Sequence, residues 1–525
     1  GGLAIGKSTD GYIGTSAPAN GLIVQNNVGI GTNSPTQKLE VVGGDALIND
    51  ITVGRGGSGN NTNTALGYQV LQNNTGTSNV AVGYRALDVN TTGYENIAIG
   101  SALKNNITGD NNVAVGNGAL EDANGSRNIA IGTNALFKFT GNSNVAMGYS
   151  VASDLVSGNN NTVIGDQAYF RGTAGSNNTV VGSASLSFTS FTPPASYTGS
   201  NNTVVGAKSM MGITTGSDNV AFGYQAMNEI TTGNYNVAIG NSALGSGNNA
   251  SDNVAVGYQA LQFNTGDSNT ATGFKALQNN TTGIQNVAVG YQTLLNNTTG
   301  RLNVAIGTNT LRDNTGGRDN VAIGTSTLQK NTTGTENVAI GIQALQKNTT
   351  GYNNVAIGEY ALFSSETSDS NTAVGHSALK SNTLGLCNTA LGYQTLEQNV
   401  LTNCNTAIGH RALANSNPPA IGGNTAVGFQ SLVSNETGVF NTAFGTDTLL
   451  NICDGSNNVA IGYNSGPAND LSHTISIGAN VTPANSNSCV IGDPSLNINV
   501  GIGTNAPQAK LQVVGDISCN TLRDA

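Results

Sequence analysis

A 17-residue repeat is the feature of this chain that most constrains its fold. From residue 286 the sequence reads NVAVGYQTLLNNTTGRL, NVAIGTNTLRDNTGGRD, NVAIGTSTLQKNTTGTE and NVAIGIQALQKNTTGYN, and then returns to NVAIG. The glycine that ends each NVAIG-like string recurs 26 times between Gly67 and Gly492, mostly 16 or 17 residues apart. A period this short leaves no room for a helical hairpin and is typical of stacked solenoid turns. We therefore predict an all-β fold, a parallel β-roll or β-solenoid of about 26 repeats of 16–17 residues.

The composition narrows the class of protein. Charged residues make up 9% of the chain and 71 residues are Gly, yet the apolar residues recur in register, which a disordered tract has no reason to maintain. The net charge is −10 and there is no basic run, which disfavours nucleic-acid binding. No apolar run approaches the roughly 20 residues that a membrane span needs, and no signal peptide is visible. The chain begins at Gly1, which indicates a processed product or a piece of a longer polypeptide.

The repeat positions predict two short strands in each coil. We number positions relative to the glycine. Positions −3 and −1 carry Val, Ile or Thr, for example Val304 and Ile306, and this alternation predicts a strand that turns these side chains into an apolar core. Position +4 carries Leu in most copies, such as Leu311, and predicts a second short strand facing the same core. The N-T-T-G strings between them supply turn residues.

Positions −2 and −4 indicate what the other faces of the coil contact. Position −2 is Ala in 21 of 26 copies and is otherwise Val or Ser, so the side chain opposite the Val/Ile pair is always small. Because a solvated face would accept Lys or Glu, we expect this face to pack against other copies of the chain as a homotrimer. The predicted subunit-interface residues are Ala288, Ala305, Ala322, Ala339 and Ala356. Position −4 is Asn in 24 copies, either as a ladder of stacked amides or as a turn residue.

A second motif brackets the array. NVGIGTNSPTQKLEVVG near the N-terminus returns near the C-terminus as NVGIGTNAPQAKLQVVG, with 13 of 17 positions identical. Pro35 and Pro507 would stop a regular turn there, and special units are expected at the ends of a solenoid. The predicted organisation is an irregular N-terminal region with a capping or adaptor module, the repeat array, and a C-terminal capping or adaptor module, at residues 1–60 (module 27–43), 61–498 and 499–525, respectively.

Aromatic residues are the candidate binding residues. Tyr recurs at position +1, for example at Tyr258, Tyr291 and Tyr393, where an exposed row would stack on sugars or, alternatively, would only shield the turn. His376 and His410 occupy the same position on either side of Tyr393, either as a small cluster or by chance use of a surface position. The longest interval, between Gly182 and Gly206, carries Phe188, Phe191 and Tyr197 on a loop that either binds a ligand or covers a neighbouring subunit.

No motif supports catalysis, and we predict no enzyme activity, cofactor or metal site. The acids are scattered without a paired arrangement, and the five cysteines show no C-x-x-C spacing. Cys387 and Cys404 lie one period apart, so they are either bridged across adjacent turns or free thiols. The N-T-T sequons are either glycan acceptors or turn motifs, at Asn90, Asn280, Asn297, Asn331 and Asn348.

The repeat resembles a known family. Strings such as NVAVGYQAL at residues 253–261 resemble the head repeats of the YadA-like trimeric autotransporter adhesins. This resemblance implies a left-handed parallel β-roll, three chains side by side, and a role in adhesion. The C-terminal string GIGTNAPQAKLQVVGDISCNTL resembles segments of viral and phage tail fibres, which in that family often precede an endosialidase-type chaperone removed by self-cleavage.

Together these features predict a structural fibre or adhesin rod. It would be an extracellular appendage of a virion or cell surface that supports host attachment, with itself and a host-surface glycan or protein receptor as partners. Two alternatives remain open at this point: an adhesin that binds a glycan or matrix protein along its flank, and a polysaccharide depolymerase.

Overall fold

The computed structural model describes most of the chain as short strands joined by turns. The described residues are 3–5, 22–24, 27–41, 44–56, 62–169, 172–187, 197–246, 249–416, 422–493, 495–496 and 498–514. They contain no helix, and therefore none that could span a membrane. The chain divides into two compact units, residues 1–235 and 236–525.

The first unit contains sixteen strands among its described residues. They are β1 (Leu3–Ile5), β2 (Leu22–Val24), β3 (Val28–Ile30), β4 (Leu39–Val41), β5 (Ala46–Ile48), β6 (Ile51–Gly54), β7 (Thr64–Gly67), β8 (Val80–Val82), β9 (Ile97–Ile99), β10 (Val113–Val115), β11 (Ile129–Ile131), β12 (Val145–Met147), β13 (Thr162–Ile164), β14 (Thr179–Val181), β15 (Thr203–Val205) and β16 (Val220–Phe222). From β7 to β16 each strand pairs in parallel with the next.

The second unit contains eighteen strands among its described residues. They are β17 (Val237–Ile239), β18 (Val254–Val256), β19 (Thr270–Thr272), β20 (Val287–Val289), β21 (Val304–Ile306), β22 (Val321–Ile323), β23 (Val338–Ile340), β24 (Val355–Ile357), β25 (Thr372–Val374), β26 (Thr389–Leu391), β27 (Thr406–Ile408), β28 (Thr425–Val427), β29 (Thr442–Phe444), β30 (Val459–Ile461), β31 (Ile475–Ile477), β32 (Cys489–Ile491), β33 (Val500–Ile502) and β34 (Leu511–Val513). Strands β17 to β32 again pair in parallel, each with its successor.

The pairing register follows the repeat. Val304 lies opposite Val321 and Ala305 opposite Ala322, so each residue stacks on its equivalent in the next coil. Across the long interval between Gly182 and Gly206, β14 still pairs with β15 in register, which means that the insertion leaves the strand stack intact. The predicted all-β parallel β-solenoid is therefore confirmed, with about 24 turns in the described residues.

The two faces of the strands are the reverse of the expectation. The central residue of the array strands, an alanine in 21 of 26 copies, points into the coil. Ala305 and Ala322 are fully buried there, while Val304 and Ile306 on either side of Ala305 point outward and are partly exposed. The predicted inward orientation of the Val/Ile pair is therefore wrong. The physical reason is space, because the leucine at +4, for example Leu311, enters the core from the opposite wall and is also fully buried. Opposite such a leucine, the narrow coil takes a small side chain.

The predicted second strand is also absent from the coils described here. Around +4 the chain forms turns instead, in which Asn309 and Leu311 adopt left-handed conformations with φ of 54° and 49°. A left-handed non-glycine residue costs roughly 1–2 kcal/mol. Hydrogen bonds between coils offset this cost: the Asn309 N–H donates to the Tyr291 carbonyl at 2.9 Å, and the Leu311 N–H donates to the Thr327 carbonyl at 3.0 Å.

The repeat glycine is required by both conformation and space. Gly307 has a φ of +132°, and a Cβ atom placed on it would lie 2.5 Å from the carbonyl oxygen of Gly324 in the next coil. Since neither the backbone conformation nor the stacking distance admits a side chain, this position defines the corner of every coil.

We expect Gly307→Ala to destabilise the second unit by about 2–3 kcal/mol, since the alanine must adopt a disfavoured φ and displace the next coil. The urea midpoint of unfolding measures the effect. Gly316→Ala is the matched control, because its φ is not positive and the nearest atom to the new Cβ is Thr299 Oγ1 at 3.4 Å. The control should stay within about 0.5 kcal/mol of the parent. Equal effects of the two substitutions would contradict the stacking argument.

A β-hairpin covers the first strand of the array. Strands β5 and β6 pair antiparallel through a two-residue turn, Asn49-Asp50, with φ of 47° and 63°. Two successive positive φ values are typical of the type I′ turn that joins tight hairpins. Strand β6 then pairs antiparallel with β7. In the described residues this hairpin, rather than the module at 27–43, protects the edge of β7.

Candidate functional site

The largest surface with functional potential is the outward side of the array strands. We call the side chains at positions −3 and −1 of β7 to β32 the outer strand face. Position −1 is apolar in every described coil except at Thr272, and neither position carries a charged residue. These side chains are partly exposed, and several at position −1 reach about two-fifths of their surface, for example Ile99 at 41% in the first unit and Ile306 at 40% in the second. Position −3 alternates between Val or Ile and Thr among the coils, so the continuous apolar row within each unit is position −1. Monomeric soluble proteins rarely expose long apolar rows of this kind.

The residues predicted as the subunit interface do not lie on this face. Ala288, Ala305, Ala322, Ala339 and Ala356 are all fully buried within the single chain. An interior side chain cannot contact another subunit, so their assignment to an interface is wrong. The residue at −2 is always small because the coil interior is narrow. The sequence alone does not distinguish a narrow interior from a packed outer surface as the reason for small residues.

The asparagines at position −4 form a buried ladder. Asn320 is fully buried; its backbone N–H donates to Asn303 Oδ1 at 3.1 Å, and its Nδ2 donates to the same oxygen at 3.0 Å and to the Gly334 carbonyl at 2.9 Å. Its Oδ1 accepts equivalent bonds from Asn337 in the next coil. The ladder interpretation is therefore correct for these coils, and each amide joins consecutive turns.

A second ladder lies in the N-T-T-G turns, whose asparagines the sequence offered as glycan acceptors or as turn residues. Asn314 Nδ2 donates to Asn297 Oδ1 at 2.7 Å and to the Gly317 carbonyl at 3.1 Å. The asparagines of the five sequons, at positions 90, 280, 297, 331 and 348, are fully buried. A glycan on such an amide is incompatible with the folded coil, which leaves turn and ladder chemistry as their role.

We expect Asn320→Ala to destabilise the second unit by about 2–3 kcal/mol, because it leaves the buried Asn337 N–H without its acceptor and empties part of the interior. Thermal unfolding followed by circular dichroism measures the loss. Asn241, which is exposed at position +1, provides the control, and Asn241→Ala should change stability by less than about 0.5 kcal/mol. A ladder variant as stable as this control would refute a structural role for the amides.

The three candidate tyrosines at +1, Tyr258, Tyr291 and Tyr393, belong to stacks of rings. Phe274 lies between Tyr258 and Tyr291, with ring centroids 5.3 and 5.2 Å away and interplanar angles of 13° and 7°. Each of these tyrosines thus has one ring face covered. A sugar packs against the face of an aromatic ring, so the stacking on Phe274 takes one of the two possible binding faces from each of these two tyrosines.

The histidine pair joins a second stack. Tyr393 lies between His376 and His410, with centroids 5.3 and 5.1 Å away, and Phe429 stacks on His410 at 5.1 Å. The structure therefore brings the two histidines and Tyr393 together as the sequence suggested. Both faces of Tyr393 are covered, which supports the interpretation that the row shields the turns.

The candidate binding loop divides into two parts. Phe188 and Phe191 lie outside the described residues. Tyr197 is fully buried, edge to face with Tyr169 at 5.2 Å, and its hydroxyl donates to Asn178 Oδ1 at 3.2 Å. Burial raises the pKa of both phenols well above their ordinary value, so both stay protonated. Tyr197 is therefore a core residue, and its prediction as an exposed binding residue is wrong.

The remaining reactive groups form no site in the part of the chain that is described. Cys387 and Cys404 are exposed free thiols, which agrees with the simpler of the two sequence interpretations. Desolvation and the neighbouring carboxylates raise the pKa of Cys453, which weakens it as a nucleophile. Aspartates in the turns accept hydrogen bonds from backbone N–H groups; Asp369, for example, accepts one from the Tyr352 N–H at 2.9 Å. No group of three or more His, Cys, Asp or Glu side chains is arranged to hold a metal ion among the described residues.

Comparison with known proteins does not assign the chain to a family. A scan against known protein families finds no match, and a search of curated proteins finds no significantly similar sequence.

Proposed function

We propose that this chain is the subunit of a structural fibre in which three copies pack side by side through the outer strand face. The observation that carries the proposal is that face itself: position −1 is apolar in every described coil but one, position −3 is Val, Ile, Thr or Cys, neither position is charged, and the chain's own described residues leave the face partly exposed. Burying apolar surface stabilises an assembly by about 25 cal/mol per Å², and each coil adds to the buried area.

Another copy of the same chain is the partner that fits this face best. The face repeats with the strand spacing of about 4.8 Å, and a partner must present the same spacing to stay in register over many coils. A parallel copy does so by construction. Closed cyclic symmetry leaves no copy with an unpaired face, and the resemblance to YadA-like head repeats favours three copies.

The site of action follows from the same resemblances. Similarity to trimeric adhesins and to viral tail fibres supports an extracellular appendage on a virion or cell surface that aids host attachment through a glycan or protein receptor. A non-catalytic role accords with the turn carboxylates that accept backbone N–H groups, as Asp267 does from Ser251 at 2.8 Å. Binding along the flank is less favoured, since Phe274 covers one ring face of Tyr258 and of Tyr291, and His376 and His410 cover both ring faces of Tyr393.

Negative-stain electron microscopy of the purified chain tests the proposal. We expect unbranched rods of uniform width, and we expect variants with aspartates on the outer strand face to appear as thinner particles. Compact particles, or parent and variant particles of equal width, would contradict a fibre of packed chains.

A further inference from the structure

The two copies of the bracketing module fold in the same way. In the first, β3 pairs in parallel with β4, and Asn27 Nδ2 donates to the Pro35 carbonyl at 2.9 Å. In the second, β33 pairs in parallel with β34, and Asn499 Nδ2 donates to the Pro507 carbonyl at 3.1 Å. In the described residues, each module's strands pair only with one another. Each module is thus a miniature coil whose two strands start 11 residues apart.

Each miniature coil has one aliphatic face that its own loop leaves open. Val28 and Ile30 lie in register with Leu39 and Val41, and alternation along the strands puts these four side chains on one face. Ile30 and Leu39 are 55% and 61% exposed. The loop occupies the other face, where a Cβ on Gly29 would lie 2.5 Å from the Thr32 carbonyl oxygen.

The second module repeats this arrangement. Val500 and Ile502 lie in register with Leu511 and Val513, and Ile502 and Leu511 are 54% and 61% exposed. On its loop side, a Cβ on Gly501 would lie 2.5 Å from the Thr504 carbonyl oxygen.

The differences between the two modules avoid the aliphatic face. All four aliphatic side chains are identical, as Val, Ile, Leu and Val in both copies. The four changed pairs lie in the loop or on the opposite side of the second strand, and they are Ser34/Ala506, Thr36/Gln508, Gln37/Ala509 and Glu40/Gln512. The aliphatic face is therefore identical throughout, whereas all four changes fall outside it.

The module also reproduces the outward strand of the array. Its first strand reads NVGIG where the array reads NVAIG, and Val28 and Ile30 correspond to positions −3 and −1 of the outer strand face. Glycine replaces the inward alanine because the shorter loop leaves no room for a Cβ. The module therefore presents the same kind of aliphatic side chains as the outer strand face, and it is too small to have a core of its own.

We propose that the aliphatic face of each module is a second self-association surface, on which the same module of the other copies packs. One module precedes the array in the sequence and the other follows it, so this clamp holds the chains in register before and after the array. This inference rests on the proposed assembly of like chains. The partner of residues 27–43 is residues 27–43 of another copy, and the partner of residues 499–515 is residues 499–515 of another copy.

Photo-crosslinking in the full-length chain tests this pairing. A benzophenone amino acid replaces Leu39 in one variant and Leu511 in another, and Gln37 and Ala509, exposed in the loops of the same modules, take the probe in the matched controls. Light scattering first establishes the mass of each variant in solution. We expect irradiation to give covalent adducts of two and three chains at Leu39 and Leu511, in at least tenfold higher yield than at the control positions. Peptide mapping should locate each adduct in the same module of the other chain.

Two results overturn the inference, and they are distinguishable. A three-chain assembly in which Leu39 and Leu511 crosslink no better than the loop controls, or in which the adducts join residues 27–43 to residues 499–515, removes the clamp and leaves the proposed fibre intact. A single-chain mass without adducts removes both proposals.

Discussion

Ala305→Arg is expected to unfold the coils around it and not merely to separate subunits. Ala305 is fully buried, and its neighbours in the ladder are the equally buried Ala288 and Ala322. An arginine there has no space and no anionic partner, and an uncompensated buried charge costs several kcal/mol. We predict a loss of about 5 kcal/mol or more in the free energy of unfolding, which is enough to abolish folding of a domain of ordinary stability.

Far-UV circular dichroism and limited proteolysis measure this effect. Thr308→Arg introduces the same charge three residues later at an exposed position and should leave both signals unchanged. If Ala305→Arg instead kept the parent's β-structure and protease resistance and lost only its assembly, the alanine would face another subunit, and the strand orientation described above would be incorrect.

The second large effect is expected one residue away, on the opposite face of the same strand. Ile306 is 40% exposed, and Ile340, two coils further on, is partly exposed as well. Aspartates at both positions remain solvated in a free chain but lose their water in an interface. We expect the double variant Ile306→Asp with Ile340→Asp to stay folded and to dissociate, with at least a ~100-fold weaker association, or about 2.8 kcal/mol.

Sedimentation velocity at graded concentrations gives the association constant, and circular dichroism confirms that the coils persist. Thr308→Asp with Ile342→Asp is the matched control, because both residues are exposed at position +1, outside the strand. It adds the same charge without touching the outer strand face. Dissociation of the control to the same degree as the test variant would mean that net charge, and not this face, governs association.

The solenoid could be predicted from the sequence because the same short pattern recurs in every coil. Gly307 and its equivalents mark the corners, and the alternation around Ala305 marks a strand, so the stacked parallel arrangement follows from the repeat. Alternation alone gives two faces without telling which is inside. The usual preference for large apolar residues in a core fails here, because Leu311 fills the narrow interior from the other wall. The left-handed backbone at Leu311 could not be predicted from the sequence either, since leucine rarely adopts it and it is held in place by hydrogen bonds between coils and by burial of the side chain.

For the candidate binding residues, too, some features could be predicted from the sequence and others could not. The stacking of His376, Tyr393 and His410 follows from their shared position in successive repeats. Tyr197, in contrast, was predicted to be a loop residue because it lies in the longest interval between repeat glycines. Its buried partner Tyr169 occupies a position where most other coils carry leucine. The replacement of Leu by Tyr at Tyr169 was the available signal that the interior changes there.

The solution mass of the purified chain, measured by multi-angle light scattering, tests the central claim most directly. One chain has a mass of 53.0 kDa. We predict a single species of three times that mass, which stays constant on dilution because a long apolar face is buried in the assembly. A stable species with the mass of one chain would contradict the account, because the outer strand face would then be solvent-exposed along the whole array.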